Sequence, residues 1–155
     1  MPRRRPGALR AARGDFEGRW PSAWARELPP VDRLSPAASA EVHWALRGRA
    51  REVEILLNMY RTFLRRPGNR LRLSPSLCES CPGCARDDVA LVRDELAELY
   101  RGLPSEARHA LGRVLHALDK EFRRRTLPAS VPFRIGPDWR GRPYAWWHRR
   151  VYEGT

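Results

Sequence analysis

The sequence predicts an all-α protein. It is expected to be a small antiparallel three-helix core with a cysteine-containing loop between helices 1 and 2 and irregular basic, aromatic arms at both termini. Three observations carry this. Apolar residues recur at three- and four-residue intervals in three separate stretches, the spacing that lines one face of a helix. Gly and Pro fall where those stretches end. The second and third stretches are joined by the short segment "GLPSEAR", which leaves room only for a tight antiparallel turn.

Residues 1–36 form the N-terminal arm. They are rich in Pro, Arg and Ala, with Phe16, Trp20 and Trp24 scattered among them and no sustained period. An extended, loosely packed segment is expected, with one short helix around 22–27. The helical domain spans 37–127. Its first helix starts in "SPAASAEVHW", where Ser35 or Ser39 can accept from open N–H groups, Pro36 suits the first turn and Glu41 favours the positive dipole end. From there the stripe Val42, Leu46, Ala50, Val53, Leu56, Leu57, Tyr60, Phe63 and Leu64 predicts one continuous helix to Arg65. "RRPGN" stops it through Pro67 and Gly68.

A second helix is expected from about 86 to 101, with Asp87 and Asp88 in its first turn and Val89, Val92, Leu96, Leu99 and Tyr100 on its inner face. Gly102 ends it, Pro104 forbids continuation and Ser105 is expected to cap the third helix. That helix carries Ala107, Leu111, Val114, Leu115, Leu118 and Phe122 and ends near Arg125, ahead of Pro128. Residues 128–155 form an aromatic, basic C-terminal tail that packs on the domain or extends it.

The chain has 155 residues, enough for one ordinary domain, and 42% hydrophobic residues supply a modest core. No apolar run reaches the roughly 18–20 residues of a membrane span. The basic start, "MPRRRPGALRAARGDF", is not followed by the apolar segment of a secretory signal, so a cytoplasmic protein is expected. The formal net charge is +12, and Lys120 is the one lysine among 30 basic residues. A GC-rich coding sequence by itself favours Arg over Lys. The excess of base over acid has no such origin, and it favours a polyanionic partner.

The loop 66–85 holds all three cysteines, Cys78, Cys81 and Cys84, each three residues from the next. Long connections without structure are uncommon in compact domains, and a metal that cross-links the loop is a reason for one. Three thiolates at this spacing predict a metal site, with zinc as the expected ion. His116 and His148 are equal candidates for the fourth ligand, with Asp87 and Asp88 behind them. The run also matches the first three positions of a bacterial iron–sulfur pattern, whose fourth cysteine and following proline are missing here. An iron–sulfur cluster is thus the alternative cofactor, and free or redox-active thiols the third reading.

The expected nucleic-acid contacts are Arg65, Arg66, Arg70 and Arg72 after the first helix, and Arg123, Arg124 and Arg125 at the end of the third. In the tail they are Arg140, Arg142, Trp146, Trp147, Arg149 and Arg150. Aromatic faces beside guanidinium groups suit base stacking combined with phosphate neutralisation. The competing reading is that the tail aromatics fold back and close the open end of the bundle. None of the common phosphate-loop, dinucleotide, zinc-protease, serine-hydrolase or deaminase signatures occurs, so a non-enzymatic protein is expected. A protein-interaction adaptor using its Trp- and Arg-rich arms is the second functional reading.

Overall fold

The computed structural model describes Val31, residues 33–76, Cys78 and residues 80–155. Most of the expected N-terminal arm, including the helix expected around 22–27, lies outside the described residues. Five helices follow: α1 (Pro36–Ala45), α2 (Ala50–Leu64), α3 (Pro82–Ala85), α4 (Val89–Arg101) and α5 (Ser105–Arg125). A 3₁₀ turn, Trp146–His148, lies in the tail. The all-α expectation holds at this level, and no described helix is long and apolar enough to cross a membrane.

Ser35 caps α1 as its chemistry predicts, its side chain accepting from the Ala38 amide, with Pro36 in the first turn. The first helix is not continuous, however. Arg47 and Gly48 both take positive φ, 45° and 91°, and break the chain between α1 and α2. The apolar stripe runs through this break without a gap, since Val42, Leu46 and Ala50 keep helical spacing on either side of it. Only the backbone turns. Val31 and Leu34, at the end of the expected arm, are buried in the core.

Paired side chains give the helix directions. Glu41 on α1 accepts from the Ala107 amide at the start of α5, Tyr60 on α2 bonds Asp119 further along, and Phe63 packs on Phe122. These pairs advance together, so α1 and α2 run alongside α5 in the same sense. Arg93 on α4 reaches Asp119, and Tyr100 lies against Gly112, so α4 runs opposite to α5. Val53, Leu57, Tyr60, Leu96, Leu111 and Phe122 fill the space between them, almost wholly removed from solvent. Burial of such side chains stabilises the fold by ~1.5–3 kcal/mol each.

The tail packs on the domain. Val151 donates to the Leu127 carbonyl and its own carbonyl accepts from Leu73, both at 3.0 Å, so residues 149–153 lie between 71–73 and 127–129. Tyr152 is fully buried there, stacked on Phe133 with centroids 4.4 Å apart.

Candidate functional site

Two groups of residues carry chemistry: the thiols of the 76–88 segment and the arginines gathered at one end of the bundle.

Cys81 stands just before the one-turn α3, and the Ala85 amide bonds the Cys81 carbonyl at 2.9 Å to close the turn. Cys84 therefore lies one helical turn from Cys81, on the same side of it. The Cys81 thiol is drawn below the ordinary thiol range, first by the Cys84 amide, then by the Cys84 thiol and the Gly83 amide, with a smaller contribution from the Cys78 thiol. Cys84 moves the opposite way, pushed up by hydrogen bonding and charge from Cys81, with burial, Cys78 and Asp87 adding to it. All three cysteines are free, with Cys78 and Cys84 exposed and Cys81 half-exposed. Cys81 and Cys84 thus shift each other's thiol in opposite directions. Even so, among the described residues no group of three or more His, Cys, Asp or Glu is arranged to hold a metal ion.

The expected fourth ligands lie elsewhere or are already engaged. His116 is exposed on α5 and lines a cleft with Arg93, Tyr100 and Asp119, in which no thiol takes part. His148 is 1% exposed, and its Nε2 meets Asp94 Oδ2 at 2.7 Å. Asp88 is fully buried and caps α4 through the Ala90 amide at 2.9 Å, while also accepting from Arg134 and Tyr152. Asp87 is the carboxylate that acts on Cys84.

Sequence reading misses Arg134. This guanidinium, 8% exposed, donates to the Ser76 carbonyl at 2.9 Å and to Asp88 Oδ2 at 2.7 Å. It therefore ties together both ends of the cysteine segment. The long loop has a structural clasp made of protein alone, contributed by a residue 46 positions along the chain from Asp88. Nothing local to "FRIGPDW" signals this, because a lone Arg between apolar residues reads as surface.

The arginines sort into three kinds. Arg125 reaches the carbonyls of Leu64, Arg66 and Gly68, and Arg150 reaches those of Arg123 and Thr126. These two close the carboxyl ends of α2 and α5, where unsatisfied carbonyls favour cations. Arg140 and Arg142 lie apart from them, paired with Glu95, Glu98 and Asp138. The third kind, Arg65, Arg66, Arg70, Arg72, Arg123 and Arg149, is exposed and pairs with no acidic side chain among the described residues, although Arg72 donates to the Thr155 backbone oxygen at 3.4 Å. The same bonds that seat Arg125 and Arg150, with the Leu71 amide on the Arg125 carbonyl at 2.6 Å, bring these six to one end of the bundle. Arg124, beside them, is paired with Glu121 at 2.6 Å.

Two of the three tail tryptophans, Trp146 and Trp147, pack against the domain, while Trp139 is exposed. Trp147 is 9% exposed, donates to Asp94 Oδ1 at 2.7 Å and lies under Arg93, 4.4 Å from ring centroid to guanidinium. Trp146 packs edge-on against Phe122 and Trp147, with Arg123 4.0 Å over its face. The competing reading of these rings, closure of the bundle, is the one their packing fits.

No family model, curated protein or solved structure matches the chain.

Proposed function

We propose that this chain is a non-enzymatic, basic helical protein that binds nucleic acid through its phosphates, without strong choice of sequence. The carrying observation is the convergence of six exposed arginines from three distant segments; of the acids near them, Glu121 is paired to Arg124 and Glu153 accepts from Ser74. Planar guanidinium groups fit phosphate oxygens in pairs, and such contacts supply most sequence-independent affinity. Trp146 and Trp147 are engaged in packing, so the reading rests on phosphate contacts and not on base stacking. Within this proposal the fold is a three-helix antiparallel core of α1–α2, α4 and α5, and the protein acts in the cytoplasm.

Zinc on Cys78, Cys81 and Cys84, with Asp87 as fourth donor, remains a proposal for how the loop is held in the cell. Its support is the spacing of the three thiols, with Cys81 and Cys84 on one turn and Asp87 directly after it. An iron–sulfur cluster is its alternative. Elemental analysis of protein purified without added metal decides between them: one zinc per chain supports the first, iron with sulfide the second, and neither element removes both.

The functional test is fluorescence anisotropy of a labelled mixed-sequence duplex across a salt series. Six phosphate contacts give a slope of log K against log salt of about −5. Changing Arg65, Arg66 and Arg123 together to Glu should abolish binding at moderate salt. A salt-independent binding curve refutes the proposal. The second reading, a protein adaptor, draws on Trp139 and Trp44, which are 60% and 64% exposed. A captured partner that survives nuclease treatment would favour it.

A further inference from the structure

We infer that Cys81 and Cys84 form a redox-active dithiol that closes into a reversible disulfide across the α3 turn, with Cys78 outside the pair. This goes beyond nucleic-acid binding and does not require a bound metal.

The argument begins with the backbone. The Ala85 amide on the Cys81 carbonyl makes residues 81–85 one helical turn. Residues three apart on such a turn have β-carbons about 5–6 Å apart, and a disulfide needs them at about 3.5–4.5 Å. Side-chain rotation and a small closing of one exposed turn cover that difference. The Cys81 sulfur already lies over this turn, 3.9 Å from where a β-carbon would stand on Gly83. Cys78 shares no such turn with Cys81, since Cys78, Ser80 and Cys81 all lie outside the described helices. Solvent reaches the site, because Cys84 is exposed and Cys81 half-exposed, so a small oxidant can enter. The Arg134 clasp holds Ser76 and Asp88 outside the pair, so opening or closing the disulfide need not disturb the core.

The chemistry is ordinary thiol–disulfide exchange. With oxidised glutathione, the Cys81 thiolate attacks one glutathione sulfur, and the other half leaves as thiolate and takes up a proton. The Cys84 sulfur, losing its proton to solvent, then attacks Cys81 Sγ and expels the second glutathione thiol. Two protein thiols are oxidised by two electrons, and one glutathione disulfide is reduced to two thiols. An exposed disulfide spanning so few residues is of the labile kind that a thiol pool can reduce again.

The test uses the full chain, reduced and desalted into chelator, then exposed to oxidised glutathione. Free thiols are counted, and the intact mass and linked peptides are read by mass spectrometry. The expected result is loss of two of the three thiols, no glutathione left attached, and one peptide cross-link joining Cys81 to Cys84. Cys78→Ser should behave as the wild type does. Cys81→Ser and Cys84→Ser should each stop at a glutathione adduct on the remaining member of the pair. A wild-type chain that collects only glutathione adducts, keeps all its thiols, or links Cys78 in place of either partner overturns the inference.

Discussion

Arg134 holds Asp88 at 2.7 Å with both side chains nearly removed from water, 8% and 0% exposed. The pair sits at the base of the cysteine segment, and the second bond of Arg134, to the Ser76 carbonyl, closes that segment. Burial pushes the Asp88 carboxyl above its usual range, against the pull of the Ala90 amide and of Arg134. Removing one partner leaves the other charged and unpaired in the interior. Arg134→Ala should therefore cost about 3–5 kcal/mol, a large part of a typical domain's stability. The double change Asp88→Asn, Arg134→Met should cost clearly less than the single one. Urea denaturation of the three proteins checks this, and equal losses for single and double variants would refute the pairing argument.

Glu41 caps α5 from another helix. Pro104 stands at the N-cap of α5 and offers no side-chain acceptor, while Glu41 Oε2 accepts from the Ala107 amide at 3.0 Å. Glu41→Ala should cost ~0.5–2 kcal/mol, the usual loss for a cap. Burial, the largest influence, and the nearby Glu106 raise the Glu41 carboxyl above the ordinary glutamate range, although the Ala107 amide opposes them. A carboxyl raised in the folded state gives stability that is complete below its unfolded pKa and lost as pH rises through its folded one. Glu41→Gln keeps an acceptor for Ala107 and carries no titrating group. Its stability curve should accordingly lack the decline seen for wild type just above the glutamate range.

Tyr60 and Tyr152 should resist ionisation. Both are fully buried. Tyr60 donates to Asp119 Oδ1 at 3.0 Å, and Tyr152 donates to Asp88 Oδ2 at 3.1 Å. Burial first, and the adjacent carboxylate second, push both phenols far above the ordinary tyrosine range. Of the four tyrosines, Tyr60 and Tyr152 should stay protonated in an ultraviolet titration until the protein unfolds. Their raised values give stability that is intact below the unfolded phenol pKa of about 10 and lost above it. Alkaline unfolding should move to higher pH in Tyr60→Phe relative to its own stability at neutral pH.

Gly48 is required by backbone geometry alone. Its φ is +91°, and a β-carbon there would meet nothing within 4 Å. Gly48→Ala should cost about 1–2 kcal/mol, the penalty of the left-handed region for a residue with a side chain. Gly112→Ala is the contrasting control. Its backbone is helical, and the added β-carbon would stand 3.3 Å from the Tyr100 ring, so any loss there arises from crowding. Thermal melts of the two variants separate the causes.

Much of the helical content is legible locally. Ser35 and Pro36 open α1, Gly102 closes α4, and α5 ends at Arg125 as its apolar spacing predicts. Ser105 was a reasonable cap by residue type, yet it lies inside the helix and Glu41 takes the role. The break at Arg47 and Gly48 is hidden because the apolar period continues across it. The candidate sites were legible as residue types and spacings only. Cys81 and Cys84 pair off because a turn forms under them, and Asp88, an apparent first-turn acid, is a buried hub because Arg134 and Tyr152 arrive from the tail.

By itself, then, the sequence determined what is local: where amphipathic helices form, where Gly and Pro interrupt them, the spacing of the thiols and the excess of positive charge. Those depend on neighbours within a few residues, and chain geometry carries them. Only the tertiary structure decided which arginines close helix ends, which pair with acids and which remain on the surface. It likewise decided that Trp146 and Trp147 pack inward while Trp139 stays exposed, and that a distant guanidinium clasps the cysteine segment. Such choices come from contacts between groups tens of residues apart, where burial makes every polar atom find a partner, and no local pattern records which partner that is.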